Sequence, residues 1–391
     1  MNQVIPYSKK RTFENPSDLW KGYMNSAYSV AIWRYPNSET VYGILDLRPD
    51  IEKNADLEKA GAGFYINPFL NHHPSNPQLI KGDLFIKWRP GKSPETYYNP
   101  VLSDQEIIDF HEAYQVYKEI RPKESQHPQW NYLTKVALAV ENIKQGTFDK
   151  VVLSRFDEQT LPDDFDLMTS FENACIAYPN AFVYVLSTDK HGCWFGATPE
   201  TLLEIDRHLF KTVSLAGTQK LAQNMRLDDV AWTEKDIEEQ AMVSRYIIDC
   251  FKKIRLREFV EIGPKTIKAG NLAHLKTEYN VDMSTVNLAE LGSIMIDLLH
   301  PTSAVCGMPL PSALEFIKFN ENYDRELYAG FLGPINIDQY THLFVNLRCM
   351  KLTGNSGRFY AGAGITRNSN PQKEFEETQL KMETLKSIIF K

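Results

Sequence analysis

Pairs of short apolar runs separated by turn residues constrain the fold of this chain more than any other feature. The runs at 30–35, 41–47, 63–67 and 83–88 follow one another at close spacing, with Asn, Pro, Gly and Ser between them. Near the C-terminus, the runs THLFVNLRCMKL (341–352) and RFYAGAGIT (358–366) flank a TGNSG turn. Such patterns favour strands over helices. Because hairpin-like pairs outnumber strand–helix–strand units, the sequence predicts a mixed α/β protein with much antiparallel sheet.

The remaining apolar patterns predict further elements. Additional strand-like runs lie at 150–155, 181–187, 193–197, 201–205 and 208–216. Helical periodicity appears at 104–120, 130–145, 232–254, 288–299 and from about 371 to the C-terminus. The polar stretch RPKESQHPQW (121–130) carries two prolines. It is the best candidate for a linker or subdomain boundary.

Composition excludes several classes of protein. The 391 residues carry a formal charge of −7 and no long basic stripe, so nucleic acid is not an expected partner. No stretch reaches the roughly 18–20 apolar residues of a membrane span, and no apolar run follows the basic residues near the N-terminus. The five cysteines are irregularly spaced, which predicts reduced, mostly buried thiols. His72-His73 before Pro74 is interpreted as a surface loop. The expected location is the cytoplasm.

Short motif searches leave the chemistry to residues dispersed along the chain. GxxxxGK[ST], GxSxG and HExxH do not occur. Gly362 and Gly364 lack a third glycine three residues further on, so a dinucleotide fingerprint fails there.

Two predicted helices each carry an acidic pair at i, i+3. Asp236 and Glu239 lie in WTEKDIEEQAMVSRYIIDCFKKI (232–254), whose predicted apolar face is Ile237, Ala241, Ile248 and Phe251. Glu374 and Glu377 lie in the C-terminal helix, where Asn370 is a candidate N-cap and Pro371 the first helical residue. Facing each other, the pairs would suit Mg²⁺, which prefers oxygen ligands. Solvated helix faces are the alternative, because such pairs are common on helix surfaces.

Eight segments of the second half, taken in order, resemble the chorismate-utilising enzymes, a family that includes isochorismate, salicylate, anthranilate and aminodeoxychorismate synthases. The resemblance covers about residues 130–391, the expected chorismate-binding catalytic region. Residues 1–120 match no motif and are expected to form an N-terminal subdomain of the same fold. The segments are KVVLSR (150–155), FGATPETLLE (195–204), SLAGTQ (214–219), KDIEEQAMV (235–243), LHPTSAVCGMP (299–309), RELYAGFLG (325–333), FVNLRCM (344–350) and YAGAGITRNSNPQKEFEETQLK (360–381).

The resemblance implies an anthranilate-synthase-component-I-like fold, a large and mostly antiparallel sheet core wrapped by helices. It also implies Mg²⁺ as cofactor, bound by Glu239 and Glu377, with Asp236 and Glu374 in its second shell. The family usually has His after the first ligand glutamate, whereas Gln240 stands there in this chain.

Substrate contacts are also implied by the resemblance. Arg348 and Tyr328 would hold the carboxylate of the enolpyruvyl arm, and Lys381 would lie beside the metal-bound ring carboxylate. Arg348 is alternatively a structural salt-bridge residue on a strand, and Lys381 alternatively pairs with Glu377 at i, i+4. The other implied contacts are Gly217, Thr218, His300, Gly362 and Gly364.

The first segment indicates which member of the family the chain resembles. Relatives that add water at C2 of chorismate have Lys at the position of Lys150, whereas relatives of the anthranilate type usually have Gln. Lys150 would act as general base on water, and Glu200 would protonate the departing C4 hydroxyl. Burial would have to raise the pKa of Glu200 for it to keep that proton.

The resemblance therefore implies an isochorismate synthase acting on chorismate. Salicylate synthase, which goes on to eliminate pyruvate, is the leading alternative, and a catalytically inactive relative is the alternative from another class. Anthranilate and aminodeoxychorismate synthases are disfavoured, and no glutamine amidotransferase partner is expected. Menaquinone synthesis is favoured over siderophore synthesis as the pathway, and the oligomeric state stays open.

Overall fold

The computed structural model describes residues 28–47, 56–70, 78–89, 91–92, 94–98, 129–221, 225–269 and 272–390, and the backbone of 10–11 and 52–53. Its N-terminal strands are β1 (Lys10–Arg11), β2 (Ser29–Arg34), β3 (Val41–Asp46), β4 (Glu52–Lys53), β5 (Gly63–Asn67), β6 (Gln78–Lys81), β7 (Leu84–Trp88) and β8 (Glu95–Tyr98). The later strands are β9 (Lys150–Thr160), β10 (Phe182–Thr188), β11 (Gly192–Thr198), β12 (Thr201–Asp206), β13 (Leu209–Lys220), β14 (Val260–Ala269), β15 (Leu272–Asp282), β16 (Gly307–Met308), β17 (Phe331–Ile335), β18 (Tyr340–Val345), β19 (Cys349–Thr353) and β20 (Ser356–Ile365).

The described part of the chain also forms helices that pack on the sheets. They are α1 (Gln129–Lys144), α2 (Leu167–Ala177), α3 (Glu234–Lys253), α4 (Leu291–Leu299), α5 (Leu310–Asn320) and α6 (Pro371–Ile389). None of these helices is long and apolar enough to cross a lipid bilayer.

Two large sheets organise the described strands. One has 11 strands in the order β1-β8-β7-β3-β2-β10-β11-β19-β20-β9-β16, and the other has nine in the order β14-β15-β13-β12-β18-β17-β5-β6-β4. Within each sheet, every described pair of neighbouring strands is antiparallel, which confirms the predicted fold class. Strands from the first hundred residues lie in both sheets, because β2 pairs with β10 and β5 pairs with β17.

The chain passes between the two sheets at two neighbouring places. One passage joins β11 to β12 through Pro199 and Glu200, and the other joins β18 to β19 through residues 346–348. The passages are held together because the Val345 amide donates to the Glu200 carbonyl at 2.9 Å and the Ala197 amide donates to the Arg348 carbonyl at 3.0 Å. Glu200 and Arg348 therefore lie side by side where the two sheets meet.

The prediction of a single strand over 341–352 is wrong, because the second passage divides this run into β18 and β19. The run divides at Asn346, whose buried side chain accepts from the Tyr184 hydroxyl at 2.6 Å and donates to the Leu327 carbonyl at 2.9 Å. Arg348 has φ of 39°, which is outside strand geometry. It therefore does not lie on a strand, contrary to the alternative interpretation above.

Most other predicted elements are confirmed where the structure describes them. α1, α3, α4 and the hairpin of β19 and β20 occupy the predicted places, and α6 begins after Asn370, which caps the amides of Gln372 and Lys373. α2, α5 and the hairpin of β14 and β15 were not predicted. The predicted helix 104–120, most of the linker 121–130 and the His72-His73 pair lie outside the described residues.

The predicted apolar face of α3 is confirmed at Phe251 but is wrong at Ile237 and Ala241, which are exposed. Ile237 is 55% exposed, and the buried face instead comprises Gln240, Val243, Ile247, Cys250 and Phe251. The first residue of the buried face, Gln240, is polar. A search for apolar residues at helical spacing therefore misses it and predicts a face shifted by about one residue. The cysteines are free thiols, with Cys250, Cys306 and Cys349 buried and the other two partly buried, as expected.

Candidate active site

A buried lysine and a helix carboxylate form the centre of the candidate site. Lys150 opens β9, and its side chain is only 1% exposed. Its ammonium donates to Oε1 of Glu239 on α3 at 2.6 Å. Burial disfavours the charged form of Glu239, but the charge and hydrogen bond of Lys150, together with the charges of Lys381 and Lys235, outweigh burial and lower the pKa of the carboxyl. The predicted base and the first predicted metal ligand are therefore in direct contact.

The C-terminal helix contributes a second pair beside the first. Lys381 lies 2.6 Å from Oε1 of Glu377 and also donates to the Gly362 carbonyl at 2.8 Å. The lysine keeps the pKa of Glu377 below its usual value although burial opposes this. The i, i+4 pairing expected as the alternative for Lys381 is thus present, and the same ammonium reaches the glycine strand β20.

Glycines on β20 make room for these side chains. A Cβ at Gly364 would lie 3.1 Å from Cε of Lys150 and 3.2 Å from Oε1 of Glu239. A Cβ at Gly362 would lie 2.9 Å from the Tyr328 hydroxyl. All three distances are shorter than ordinary contacts of a Cβ atom, so the absence of a side chain permits this packing.

A third pair joins the same two helices. Lys235 of α3 lies 3.4 Å from Oε1 of Glu374 on α6. Glu374 is 3% exposed, and its other oxygen, Oε2, is buried and has no hydrogen-bond partner among the residues that the structure describes. An unpartnered buried carboxylate oxygen is costly, which makes this position suited to a further donor or cation.

Glu200 is the predicted proton donor, and its surroundings favour the protonated form. Burial raises the pKa of Glu200 to about 7, although the nearby charges of Arg348, Lys150 and Lys381 act in the opposite direction. Glu200 also borders a small pocket. Its apolar lining includes Leu202, Val213, Leu215, Val243 and Leu299. Carboxylic acid and positive charges therefore coexist at the junction of the two sheets.

Arg348 supplies a guanidinium at this junction. Burial lowers the pKa of Arg348. The charge interactions that oppose this most are those with Tyr328, Glu200 and Glu377. Within the described part of the chain its guanidinium makes no side-chain hydrogen bond or ion pair. Tyr328 is 3% exposed and stacks on Tyr360 with ring centroids 5.4 Å apart. The salt-bridge alternative for Arg348 is therefore not supported, and its fork remains available to an anion.

A histidine that sequence analysis did not select lies closer to the site than the predicted one. The Nδ1 atom of His274 on β15 lies 2.9 Å from the Gly217 carbonyl, and Arg348 and Lys381 are among its electrostatic neighbours. Burial lowers the pKa of His274 to about 4, so the ring is neutral. The sequence feature that could have identified this residue is a histidine between two apolar residues, Ala273 and Leu275.

His300, by contrast, ends α4 in a different environment. Its ring lies 3.2 Å from the Pro68 carbonyl and packs edge-on against Phe331. Burial lowers its pKa to about 4. None of these contacts links it to the other predicted site residues, so its role beside the substrate ring stays a prediction.

The segment of Gly217 and Thr218 forms an irregularity in β13. Register shifts between Ala216 and Gln219, and Gly217 has φ of 68°, a conformation that favours glycine. A Cβ there would lie 3.1 Å from the Trp232 ring and 3.2 Å from Cβ of Asp236. The side chain of Thr218 is outside the described structure, and its substrate contact stays a prediction.

Asp236 has a local structural role. Its carboxylate accepts from the amide and hydroxyl of Thr233 at 3.1 and 2.7 Å, which completes a capping box at the start of α3. Gln219 also approaches it at 3.3 Å. Its place around a metal ion stays a prediction.

A model of the chorismate binding enzyme family matches residues 8–390, nearly the whole chain. The chain belongs to this family. The match confirms the resemblance and extends it over the N-terminal residues, where no motif was found.

Two isochorismate synthases are among the proteins whose sequences are similar to this chain. Isochorismate synthase EntC of Escherichia coli K12 is 31% identical over 245 residues, 61% of this chain and 62% of that protein. Isochorismate synthase MenF of the same strain is 27% identical over 270 residues, 66% of this chain and 60% of that protein. The chain thus spans about 60% of the length of these curated relatives.

Solved structures support the same fold. The structure of the menaquinone-specific isochorismate synthase MenF from E. coli has a TM-score of 0.77 at 20% identity, covering 97% of this chain and 94% of that chain. Anthranilate synthase component I of Streptococcus pneumoniae TIGR4 has a TM-score of 0.64 at 16% identity, covering 92% of each chain. These likenesses confirm the predicted anthranilate-synthase-component-I-like fold.

The residues of this family member fit a hard divalent cation. Glu239, Glu374 and Glu377 present carboxylate oxygens from two helices, and Oε2 of Glu374 lacks a partner. No group of three or more acidic, His or Cys side chains able to hold one ion occurs among the described residues. This arrangement suits Mg²⁺ with two protein ligands, because Mg²⁺ usually fills its other positions with water and substrate oxygens.

Gln240 occupies the position where the family usually has His. It is 3% exposed, and its amide donates to the Thr277 hydroxyl at 2.9 Å and the Ser214 carbonyl at 3.3 Å. These bonds attach α3 to β13 and β15, one residue after Glu239. The change from His to Gln therefore removes an imidazole, but the Gln240 side chain still bonds the helix to the sheet.

Proposed function

We propose that this protein is an isochorismate synthase that converts chorismate to isochorismate with Mg²⁺. The observation that carries the proposal is the placement of buried Lys150 and of Glu200, whose pKa is raised to about 7, at one junction with Arg348. Family membership and the names of the curated relatives support the same activity. The pattern of a base, an acid and an anion-binding guanidinium suits addition of water to a carboxylated ring with loss of a hydroxyl.

Lys150 activates the nucleophile in this proposal. The ammonium that pairs with Glu239 must first release its proton to solvent, and the neutral amine then accepts a proton as the oxygen of water forms a bond to C2 of chorismate. Glu200 gives its proton to the C4 hydroxyl, which departs as water while the double bond shifts. One water enters and one leaves, so the product is an isomer of the substrate. The pKa of Glu200 near 7 keeps much of the acid form at neutral pH.

Binding groups hold the two carboxylates of the substrate. Arg348 presents a guanidinium fork to the carboxylate of the enolpyruvyl arm, and the Tyr328 hydroxyl lies beside it. Lys381 contributes positive charge near the ring carboxylate. When bound at Glu239 and Glu377, Mg²⁺ supplies positive charge that anchors this ring carboxylate.

Product analysis tests the proposal directly. The protein is incubated with chorismate and Mg²⁺, and the products are separated by chromatography. Isochorismate without pyruvate is expected. Salicylate with an equal amount of pyruvate would instead establish the salicylate synthase alternative, and no turnover would indicate an inactive relative. Lys150→Gln serves as the matched negative control in each assay.

The pathway is tested separately from the reaction. The curated relatives include MenF and the vibriobactin-specific isochorismate synthase, whose names point to different pathways. We propose menaquinone synthesis for this chain. Loss of menaquinone after gene deletion, with unchanged catecholate production, is the expected result.

A further inference from the structure

Every glutamate of the candidate metal site has a lysine beside it. Two of the three lysines already have proposed roles in the reaction, and Lys235 has none. Three carboxylates and three ammonium groups give this cluster no net charge before any ligand binds. The pairs are Lys150 with Glu239 at 2.6 Å, Lys381 with Glu377 at 2.6 Å, and Lys235 with Glu374 at 3.4 Å.

Lys235 lies where it can act on all three carboxylates. It precedes Glu239 by one turn of α3, so the two side chains lie on the same face of this helix, and Lys235 contacts Glu374 of α6. Glu374 and Glu377 occupy successive positions on the facing side of α6. Although burial opposes the charge, Glu374, Glu377 and Glu239 together raise the pKa of Lys235, which is therefore a firmly charged ammonium.

The contact of Lys235 leaves its partner only partly neutralised. The 3.4 Å distance to Oε1 of Glu374 is the longest of the three pairs, and Oε2 of the same carboxylate has no hydrogen-bond partner within the described part of the chain. The lysine side chain is 46% exposed, whereas Glu374 is 4% exposed. The ammonium can therefore withdraw into solvent at low cost, but the carboxylate stays behind.

We infer that Lys235 is a resident counter-ion that competes with Mg²⁺ for the carboxylates and so weakens metal binding by the resting enzyme. The inference rests on the proposed Mg²⁺-dependent function. An incoming divalent cation is repelled by an ammonium that contacts Glu374 and interacts through charge with the proposed ligands Glu239 and Glu377. Removal of that ammonium strengthens metal binding, whereas replacement by another cation does not.

Calorimetric titration of the full-length protein with Mg²⁺ alone, without chorismate, tests this inference. Lys235→Met is expected to lower the Kd for Mg²⁺ roughly five- to tenfold, a modest charge interaction at a half-exposed position. Lys235→Arg, which keeps the charge, is expected to stay within about twofold of the wild type. The difference is expected to shrink in about 1 M salt, where the Debye length is about 3 Å.

Lys252→Met is the matched control for net charge. Lys252 lies on the same helix, 17 positions further on, in an exposed pair with Asp249. Its loss changes the protein charge equally and is expected to leave the Kd unchanged. Thermal unfolding adds a second readout, because tighter binding makes the Mg²⁺-induced rise in Tm larger for Lys235→Met than for the wild type.

Two results would overturn the inference in different ways. If the wild type binds Mg²⁺ and Lys235→Met binds it equally or more weakly, Lys235 is not a competitor, and the proposed function is unaffected. If neither protein binds Mg²⁺, the metal-dependent function fails together with the inference.

Discussion

The ammonium of Lys150 and the carboxylate of Glu239 form a 2.6 Å ion pair that joins a strand of one sheet to a helix packed on the other sheet. Lys150 belongs to β9 of the 11-stranded sheet, whereas Glu239 lies on α3, which packs on β13 of the nine-stranded sheet. Gly364 of β20 lies directly against both side chains. The geometry of the proposed base thus depends on close approach of three elements that are distant in sequence.

Gly364→Ala tests this close approach. The added methyl group would displace Lys150 or Glu239 by a few tenths of an ångström, so kcat is expected to fall roughly tenfold, because small misplacements of catalytic groups are costly. Gly357→Ala on the same strand is the matched control, since its Cβ would meet Met350 and Leu161 at 3.0 and 3.2 Å, outside the site. Steady-state rates and Tm are measured for both. Equal losses of kcat would show that general strain in β20 is responsible.

Metal dependence is tested by two neighbouring glutamates of α6. Glu377→Gln is expected to abolish turnover or to raise the Mg²⁺ concentration required by orders of magnitude, because a charged ligand is lost from a small set. Glu376→Gln is the matched control, since Glu376 is exposed and its carboxylate accepts a hydrogen bond from Gln372 of the same helix. EDTA is expected to stop the wild type, and added Mg²⁺ to restore it. Full activity in metal-free buffer would contradict the site assignment.

Arg348→Lys tests recognition of the substrate arm. Charge is kept but the bidentate fork is lost, so KM for chorismate is expected to rise roughly tenfold. Tm is expected to change little, because the guanidinium forms no ion pair within the described residues. Arg358→Lys, which alters an ion pair with Glu158 on the same sheet, is the control and should leave KM unchanged. An unchanged KM in Arg348→Lys would mean that the fork does not hold the substrate.

The strand that carries Lys150 could be predicted, but the surroundings of Arg348 could not. KVVLSR has a clear strand pattern, and β9 begins at the predicted residue. The run containing Arg348 is equally apolar, yet it divides where Asn346 bonds to Tyr184 and Leu327. Those partners are 162 and 19 residues away, and local patterns carry no information about them.

The face of α3 and the nearby histidine show the same limit. Gln240 is buried because Thr277 and Ser214 accept its amide hydrogens, which no apolar periodicity indicates. His274 approaches the site because β15 pairs with the irregular part of β13. The same resemblance implied roles for Lys150, Glu200 and Glu239, which the fold brings together, and for His300, whose contacts with Pro68 and Phe331 leave its implied role a prediction.

The pKa of Glu200 predicts the pH dependence of turnover. Glu200 must be protonated to act as an acid, and its pKa is about 7. Above that value the protonated fraction falls tenfold per pH unit, so kcat is expected to decline on the alkaline side. Rates between about pH 6 and 9 check this. A flat profile, with Glu200→Gln still inactive, would mean that another group delivers the proton.

Separate roles for Lys150 and Glu200 are tested by changing the nucleophile. Lys150→Gln removes the proton acceptor, so attack by water is expected to fall roughly 10²–10⁴-fold, the usual contribution of a positioned acid or base. Ammonia carries its own lone pair and needs less activation. At high ammonium concentration and alkaline pH, Lys150→Gln is therefore expected to lose proportionally less of the amine-adding reaction.

Glu200→Gln is the matched comparison in the same assays. Both nucleophiles must expel the same C4 hydroxyl, so loss of the acid is expected to reduce the two reactions equally. Chromatography of products from chorismate with and without ammonium measures both. An equal loss of the two reactions in Lys150→Gln would show that this lysine binds substrate rather than activating water. The proposed isochorismate activity would then rest on Glu200, Arg348 and family membership alone.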